Sequence, residues 1–255
     1  MLKILTVGYN EEKNLEKLYS SIWKFKNKIE VDVEFYYVDQ ESVDNSLDIA
    51  KKYWAKTFTH KNKWYADPDK KWLVENVCNE WDWIIIADAD FYFSEKMILE
   101  IDYIINKSNY DTILLKIDII FLWIKWISIK GAIFFKKWAV QITEDIHNYY
   151  KIKSNKIWTT KESIICDDIK EHWNAISVWL KRIDKYTSIE VKNINKKPKY
   201  IILLYLFFSP IIWFFWYWII HKQFFKWIPW IINSLIQVIY RISLYSKLYE
   251  KYYIK

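Results

Sequence analysis

The stretch NEWDWIIIADADFYF, residues 79–93, limits the fold more than any other part of the chain. Trp83 to Ile86 is an unbroken apolar run, which predicts a strand buried on both faces and therefore a mostly parallel sheet covered by helices. Two aspartates, Asp88 and Asp90, follow where that strand must end. The preceding segments fit the same plan. Residues 2–7 read as a first strand, and YNEEKNLEKLYSSIWKF as a helix with Asn10 as N-cap, Glu11 and Glu12 in the first turn, and Leu15, Leu18, Tyr19 and Ile22 on one face. VDVEFYYVD is a second strand ending in Asp39, a helix runs to about Tyr53, AKTFTH is a third strand, and residues 69–79 are helical. Strands alternating with helices predict a doubly wound α/β sheet, in which ligands bind beyond the carboxyl ends of the strands. Tyr9, Asp39, Asp88 and Asp90 all fall at such ends.

Beyond residue 110 the pattern is mixed. DTILLKIDIIF and GAIFF read as strands, and DDIKEHWNAISVWLKRIDKYTSIE as largely helical. Tyr200 to Ile220 is 21 residues without a charge, long enough to span a bilayer core of about 30 Å, although Pro210 interrupts it. The flanking lysines give no orientation, so a broken or interfacial segment is as compatible as a span. IINSLIQVIYRISLYSKLYEKYY has the spacing of an interfacial helix. The chain therefore divides into a domain over 1–195 and a hydrophobic, basic, membrane-associated helical tail over 196–255.

Charge supports that division. The net charge is +7, yet residues 201–255 hold six Lys/Arg and one Glu, leaving 32 basic and 30 acidic residues upstream. A nearly neutral domain argues against a nucleic-acid surface, and a basic aromatic tail suits anionic lipid headgroups. Cys78 and Cys166 are the only cysteines, with no CxxC and no zinc quartet. A reducing compartment is the simple inference, and the strand-like LKILTV start, which lacks the pattern of a secretory signal, leads us to expect the domain in the cytoplasm.

Glycine is nearly missing. A chain of this length would carry about 18 at the usual frequency; this one has 2, beside 17 tryptophans. Trp54 lies where a left-handed residue, usually glycine, stops a helix. Trp64, Trp138, Trp158 and Trp173 sit in loop-like surroundings, whereas Trp83 suits its strand. We read most of these tryptophans as UGA codons assigned to glycine in the source organism; aromatic enrichment for membrane contact is the competing reading between Trp213 and Trp230.

Asp88 and Asp90 form an oxygen-only pair that suits Mg2+ or Mn2+ carrying a diphosphate, although one Asp can equally cap the next helix. The segments ILTVGYNEEKNLEKLYSSI, YYVDQESVDNSLDIAKKYWAK, HKNKWYADPDKK and WDWIIIADADF together resemble the nucleotide-sugar domain of family 2 glycosyltransferases, closely over residues 2–100. The resemblance implies a GT-A fold, with 1–100 binding the donor and 101–195 facing the acceptor. It implies that Tyr9 and Asp39 hold the nucleobase, with Asn10 and Glu11 beside them, that Lys70 or Lys71 stands near base or phosphates, and that Asp88 and Asp90 contact ribose and metal. It also makes glycine the familiar residue at 54, 64 and 81. Gln40, in place of a frequent second acid, and Val7 depart from the family pattern.

FFKKWAVQITEDIHNYY and HWNAISVWLKRIDKYTSIE look like a looser match to the lipopolysaccharide-core β-glucosyltransferase branch. An acceptor hydroxyl must lose a proton as it attacks, so a carboxylate is required as general base. Asp145 matches the acidic motif, with Glu144 its rival; a solvated turn explains both equally simply. His147 and His172 are acceptor-side candidates, or ordinary partly buried histidines. The expectation is an inverting, metal-dependent glycosyltransferase at the cytoplasmic face of the inner membrane, taking a UDP-sugar and a glycolipid or saccharide acceptor. The alternative is a non-catalytic, membrane-attached binding protein of the same fold.

Overall fold

The computed structural model describes residues 1–63, 65–121, 124–142, 150–166, 175–220 and 227–254; for stretches such as 119–121, 124–133, 216–220 and 227–233 the backbone alone is described. The chain forms two compact units, Met1–His172 and Trp173–Lys255. The strands of the first are β1 (Leu2–Gly8), β2 (Val33–Asp39), β3 (Lys56–Thr59), β4 (Trp83–Ile86), β5 (Phe91–Tyr92), β6 (Thr112–Phe121), β7 (Ile124–Lys136), β8 (Val140–Ile142), β9 (Tyr150–Ile152) and β10 (Ile157–Cys166). Its helices are α1 (Glu12–Trp23), α2 (Ser46–Lys52), α3 (Asp67–Val77) and α4 (Glu95–Lys107).

Eight strands make one sheet in the order β3-β2-β1-β4-β7-β6-β10-β5. β3, β2, β1 and β4 run parallel, as their helical crossovers require, and β7 enters antiparallel between β4 and β6. All four residues of β4 are buried, as a strand covered on both faces must be. Leu15, Leu18, Tyr19 and Ile22 of α1 are buried with it in one core.

Several boundaries and elements differ from the sequence expectation. Asn10 is not the cap of α1. It has a φ of 55° and the cap position falls on Glu11, which makes no side-chain cap bond. The helix start is instead closed from β2–α2: Ser42 Oγ accepts from Asn10 N at 2.9 Å, Ser46 Oγ from Glu11 N at 2.7 Å and Asp44 Oδ2 from Glu12 N at 3.1 Å. α4 and β10 were not expected. α4 carries an ordinary start signal, Ser94 Oγ accepting from Met97 N. β10 is harder to read, because its pairing with β6 shifts register between Thr159 and Ser163 and blurs the period of two. Trp158 lies within it, packed on Tyr110, and not in a loop.

The second unit comprises α5 (Ala175–Asn193), α6 (Lys199–Ile220) and α7 (Trp227–Tyr253). Val191, Ile202, Leu244 and Leu248 form its core, and Lys251 Nζ, 2.8 Å from the Val191 carbonyl, ties α7 to α5. α6 continues through Pro210 instead of breaking there. Among the described residues no helix is long and apolar enough to cross a membrane. The spanning alternative for the tail therefore has no support.

Candidate functional site

The carboxyl ends of β1, β2 and β4 converge because their register is in step. Gly8 pairs with Asp39, Asp39 with Thr59, and Leu5 with Ile86, so Asp88 emerges close to the Gly8–Asp39 rung. Gly8 is held there by space: a Cβ would stand 2.8 Å from Glu11 Cγ and 3.0 Å from the Tyr37 hydroxyl. No larger residue fits without displacing the phenol.

That phenol matters because it donates to Asp39 Oδ1 at 3.2 Å, while Ser42 N donates to Asp39 Oδ2 at 2.9 Å. Asp39 is buried, yet two donors and its position at the strand end make the carboxylate tolerable. Burial, then the neighbouring Asp39 charge, pushes the Tyr37 hydroxyl well above the ordinary tyrosine range, so it remains a donor. The site thus fixes an acceptor carboxylate, aimed from a rigid strand. Tyr9 is 37% exposed beside it, and Asn10 folds over the rim, its Oδ1 accepting from Val43 N at 2.9 Å. Glu11 Oε2 accepts from Asn14 Nδ2 at 2.8 Å.

The second group comes from α3 and the exit of β4. Lys70 is buried and its ammonium lies 2.7 Å from Asp88 Oδ1, whose side chain is 43% exposed. Of the two lysine candidates, Lys70 is joined to Asp88, and Lys71 follows on the same helix, half-buried. Asp90 is half-buried, and the Cys166 thiol donates to its Oδ2 at 3.1 Å. Asp88 and Asp90 are oxygen donors at a strand exit, a set that fits one hard divalent cation completed by phosphate oxygens. Among the described residues no three His, Cys, Asp or Glu side chains make a closed cation cage.

One cluster has no counterpart in the sequence expectation. Asp69, 1% exposed on α3, accepts from Gln40 Nε2 at 2.7 Å on one oxygen, with His60 Nδ1 at 2.9 Å from the other. Gln40, the departure from the family pattern, therefore orients a buried acid beside Asp39. At the α1 amino terminus, Ser42, Ser46 and Asp44 take up the N–H groups of Asn10, Glu11 and Glu12. Asp145, Glu144, His147 and His172 lie outside the described residues.

No protein-family model matches the chain. Over 113 residues it is 31% identical to an uncharacterized glycosyltransferase of Rickettsia typhi, which covers 44% of this chain and 36% of that protein. Over 102 residues it is 30% identical to an uncharacterized glycosyltransferase of Rickettsia bellii, covering 40% and 32%. The aligned part thus spans about a third of the length of these curated relatives. Among solved structures, S. aureus TarS 1-349 superposes on 100% of this chain and 92% of its own, with a TM-score of 0.51 at 12% identity. That likeness is one of fold, and it agrees with the mixed α/β, mostly parallel sheet expected from the sequence.

Proposed function

We propose that the protein is a glycosyltransferase that moves a sugar from a nucleotide-diphospho-sugar, a UDP-sugar first among the possibilities, to a saccharide acceptor, with inversion and with Mg2+ or Mn2+. The observation that carries this reading is the gathering of Asp39, the Lys70–Asp88 pair and Asp90 at one edge of the sheet. The relatives named glycosyltransferase support the activity, and the TarS fold has been solved with UDP bound.

Each group has a task in this reading. Asp39, already oriented by Tyr37 and Ser42, accepts from the ring N–H of the base, and a pyrimidine dione offers that donor where cytosine does not. Tyr9 lies against the base, with Asn10 and Glu11 shaping the rim. Lys70 leaves Asp88 in part to meet phosphate oxygens, which frees a carboxylate oxygen for the ribose or cation. Asp90 is the main protein ligand of that cation. When bound, the cation supplies charge neutralisation at the departing diphosphate. Asp145, or Glu144 in its place, takes the acceptor proton, with His147 and His172 on the acceptor side. The basic, aromatic tail holds the enzyme at the cytoplasmic face of the inner membrane, beside a lipid-linked acceptor of the lipopolysaccharide-core kind.

Calorimetric titration of UDP into the full chain, with Mn2+ and with chelator, tests the donor site. Metal-dependent binding that weakens at least roughly tenfold in Asp90→Asn is expected. UDP binding that ignores both the metal and the substitution, or no UDP binding, counts against it. Metal-dependent binding without any turnover of UDP-sugars would leave a non-catalytic binding protein.

A further inference from the structure

The surroundings of Asp90 are set by the sheet and not only by the Asp88-Ala89-Asp90 segment. β10 pairs antiparallel with β5, with Cys166 opposite Phe91. That rung brings a thiol beside Asp90 across 76 positions of sequence, and the Cys166 Sγ to Asp90 Oδ2 distance is 3.1 Å. Cys166 is in no disulfide, and both residues are half-buried.

We propose that Cys166 supplies a thiolate ligand to the divalent cation held by Asp90, and that the site therefore favours borderline cations such as Co2+ and Zn2+, and to a lesser degree Mn2+, over Mg2+. This rests on the donor-site reading given above. The spacing is the first support. With carboxylate and thiolate bonds of about 2.1 and 2.3 Å, atoms 3.1 Å apart are near enough that both would reach one cation. The two atoms would therefore hold one cation together. The proton that now lies between sulfur and oxygen leaves to solvent as the cation takes its place. Asp90 and Cys166 would each give one ligand atom, Asp88 another where Lys70 turns to phosphate, and diphosphate oxygens and water would fill the remaining positions. The ligand set gives the second support, because one thiolate among oxygens shifts preference away from Mg2+, a cation that demands hard donors.

Cobalt absorption separates this from the donor-site reading, because sulfur bound to Co2+ gives a near-ultraviolet charge-transfer band that oxygen ligands do not. The full chain would be titrated with Co2+, with and without UDP, and UDP affinity measured by calorimetry in Mn2+ and in Mg2+. The band should appear in the unsubstituted protein and in Cys78→Ser, since Cys78 is buried and its thiol is pushed up to about 12 by that burial. It should vanish in Cys166→Ser, and the Mn2+ over Mg2+ preference, roughly tenfold before, should shrink by most of that factor. Cys166→His should lose the band yet keep metal-dependent UDP binding, which distinguishes loss of a ligand from loss of the fold. Metal-dependent UDP binding without any sulfur band overturns the thiolate ligand and leaves the donor site standing. A band that needs Cys166 and Asp90 in a protein that binds no UDP upholds the thiolate ligand and overturns the donor site. No band and no UDP binding overturns both.

Discussion

Trp54 closes α2 with a φ of 55°, its ring 74% exposed, in the place and conformation that glycine usually takes. Holding an L-residue left-handed costs roughly 1–2 kcal/mol. Contact with Trp23, ring centroids 4.9 Å apart, offsets about 0.5–1.5 kcal/mol of that. The two nearly cancel, so Trp54→Gly is expected to change stability by less than about 1 kcal/mol. Trp83→Gly, at a position 5% exposed in β4, should cost about 3–5 kcal/mol or more. Urea unfolding of both variants checks this; a large loss at 54 would mean the indole is needed there and would sink the glycine-codon reading for it. At Asp39 the expected result is different: Asp39→Asn should weaken UDP binding by about tenfold while costing about 1 kcal/mol of stability, because one acceptor oxygen for Ser42 survives. Calorimetry beside a melting curve separates the two effects. The strand-end acids were legible singly, since each follows an apolar run. Contacts made across the fold were not: Cys166 lies 76 positions from Asp90, and Gln40 lies 29 from Asp69, with no local pattern to announce either pair.

Among the elements, β1 and the entrance to β4 are fastened by Lys3, whose ammonium lies 2.8 Å from Asp82 Oδ2 and 2.6 Å from the Val77 carbonyl. Both residues are buried. Burial alone would raise the Asp82 carboxyl, but the Lys3 hydrogen bond, the Asn79 N–H and the Lys3 charge outweigh it, and the group ends below the ordinary aspartate value. Burial, the largest single effect, likewise opposes the Lys3 charge, but the Asp82 hydrogen bond together with the charges of Tyr36, Asp82 and Cys78 outweighs it, leaving the lysine above its ordinary value. A depressed carboxyl contributes stability that is complete above its unfolded pKa of about 3.9 and is lost as pH falls through the lower folded value. A raised lysine contributes below about 10.4 and loses it as pH rises through the higher folded value. The pair should therefore stabilise the sheet across the neutral range and fail at both extremes. Asp82→Asn, which strands Lys3, should cost about 3 kcal/mol at neutral pH and flatten the acid limb of the stability profile. Unfolding followed from pH 2.5 to 7 reads this, and an unchanged acid limb would refute it. The parallel strands and their helices were legible because hydrophobic period and turn chemistry agree there. The start of α1 was not, since its N–H groups are satisfied from another element, and β10 was not, since a register shift breaks its alternation.

On the scale of the whole molecule, the two units present different surfaces. In the second, α6 exposes Leu204, Phe207, Phe208, Ile211, Ile212 and Phe215, and Lys196, Lys197 and Lys199 stand at its start. Burying each such ring or aliphatic chain in an acyl boundary is worth about 1.5–3 kcal/mol. The full chain is expected to sediment with anionic vesicles, weakly with neutral ones, and Phe207→Glu combined with Ile211→Glu should reduce binding at least about tenfold. Equal sedimentation of the double variant would remove the membrane role from this face. Charge distribution and the uncharged run made that surface legible in the sequence; the continuation of the helix through Pro210 was not, because proline weakens a helix without always ending it. The placement of β7 has a consequence for synthesis. β4 is wholly apolar, and its open edge is closed by Phe134, Phe135 and Lys136, about fifty residues later in the chain. While a ribosome makes those residues, the emerging half-sheet carries an uncapped, uncharged strand edge of the kind that recruits other chains. The hairpin of β6 and β7 is the piece whose arrival ends that exposure, so slow decoding or pausing within it would be felt as aggregation of the nascent protein before any defect in its chemistry.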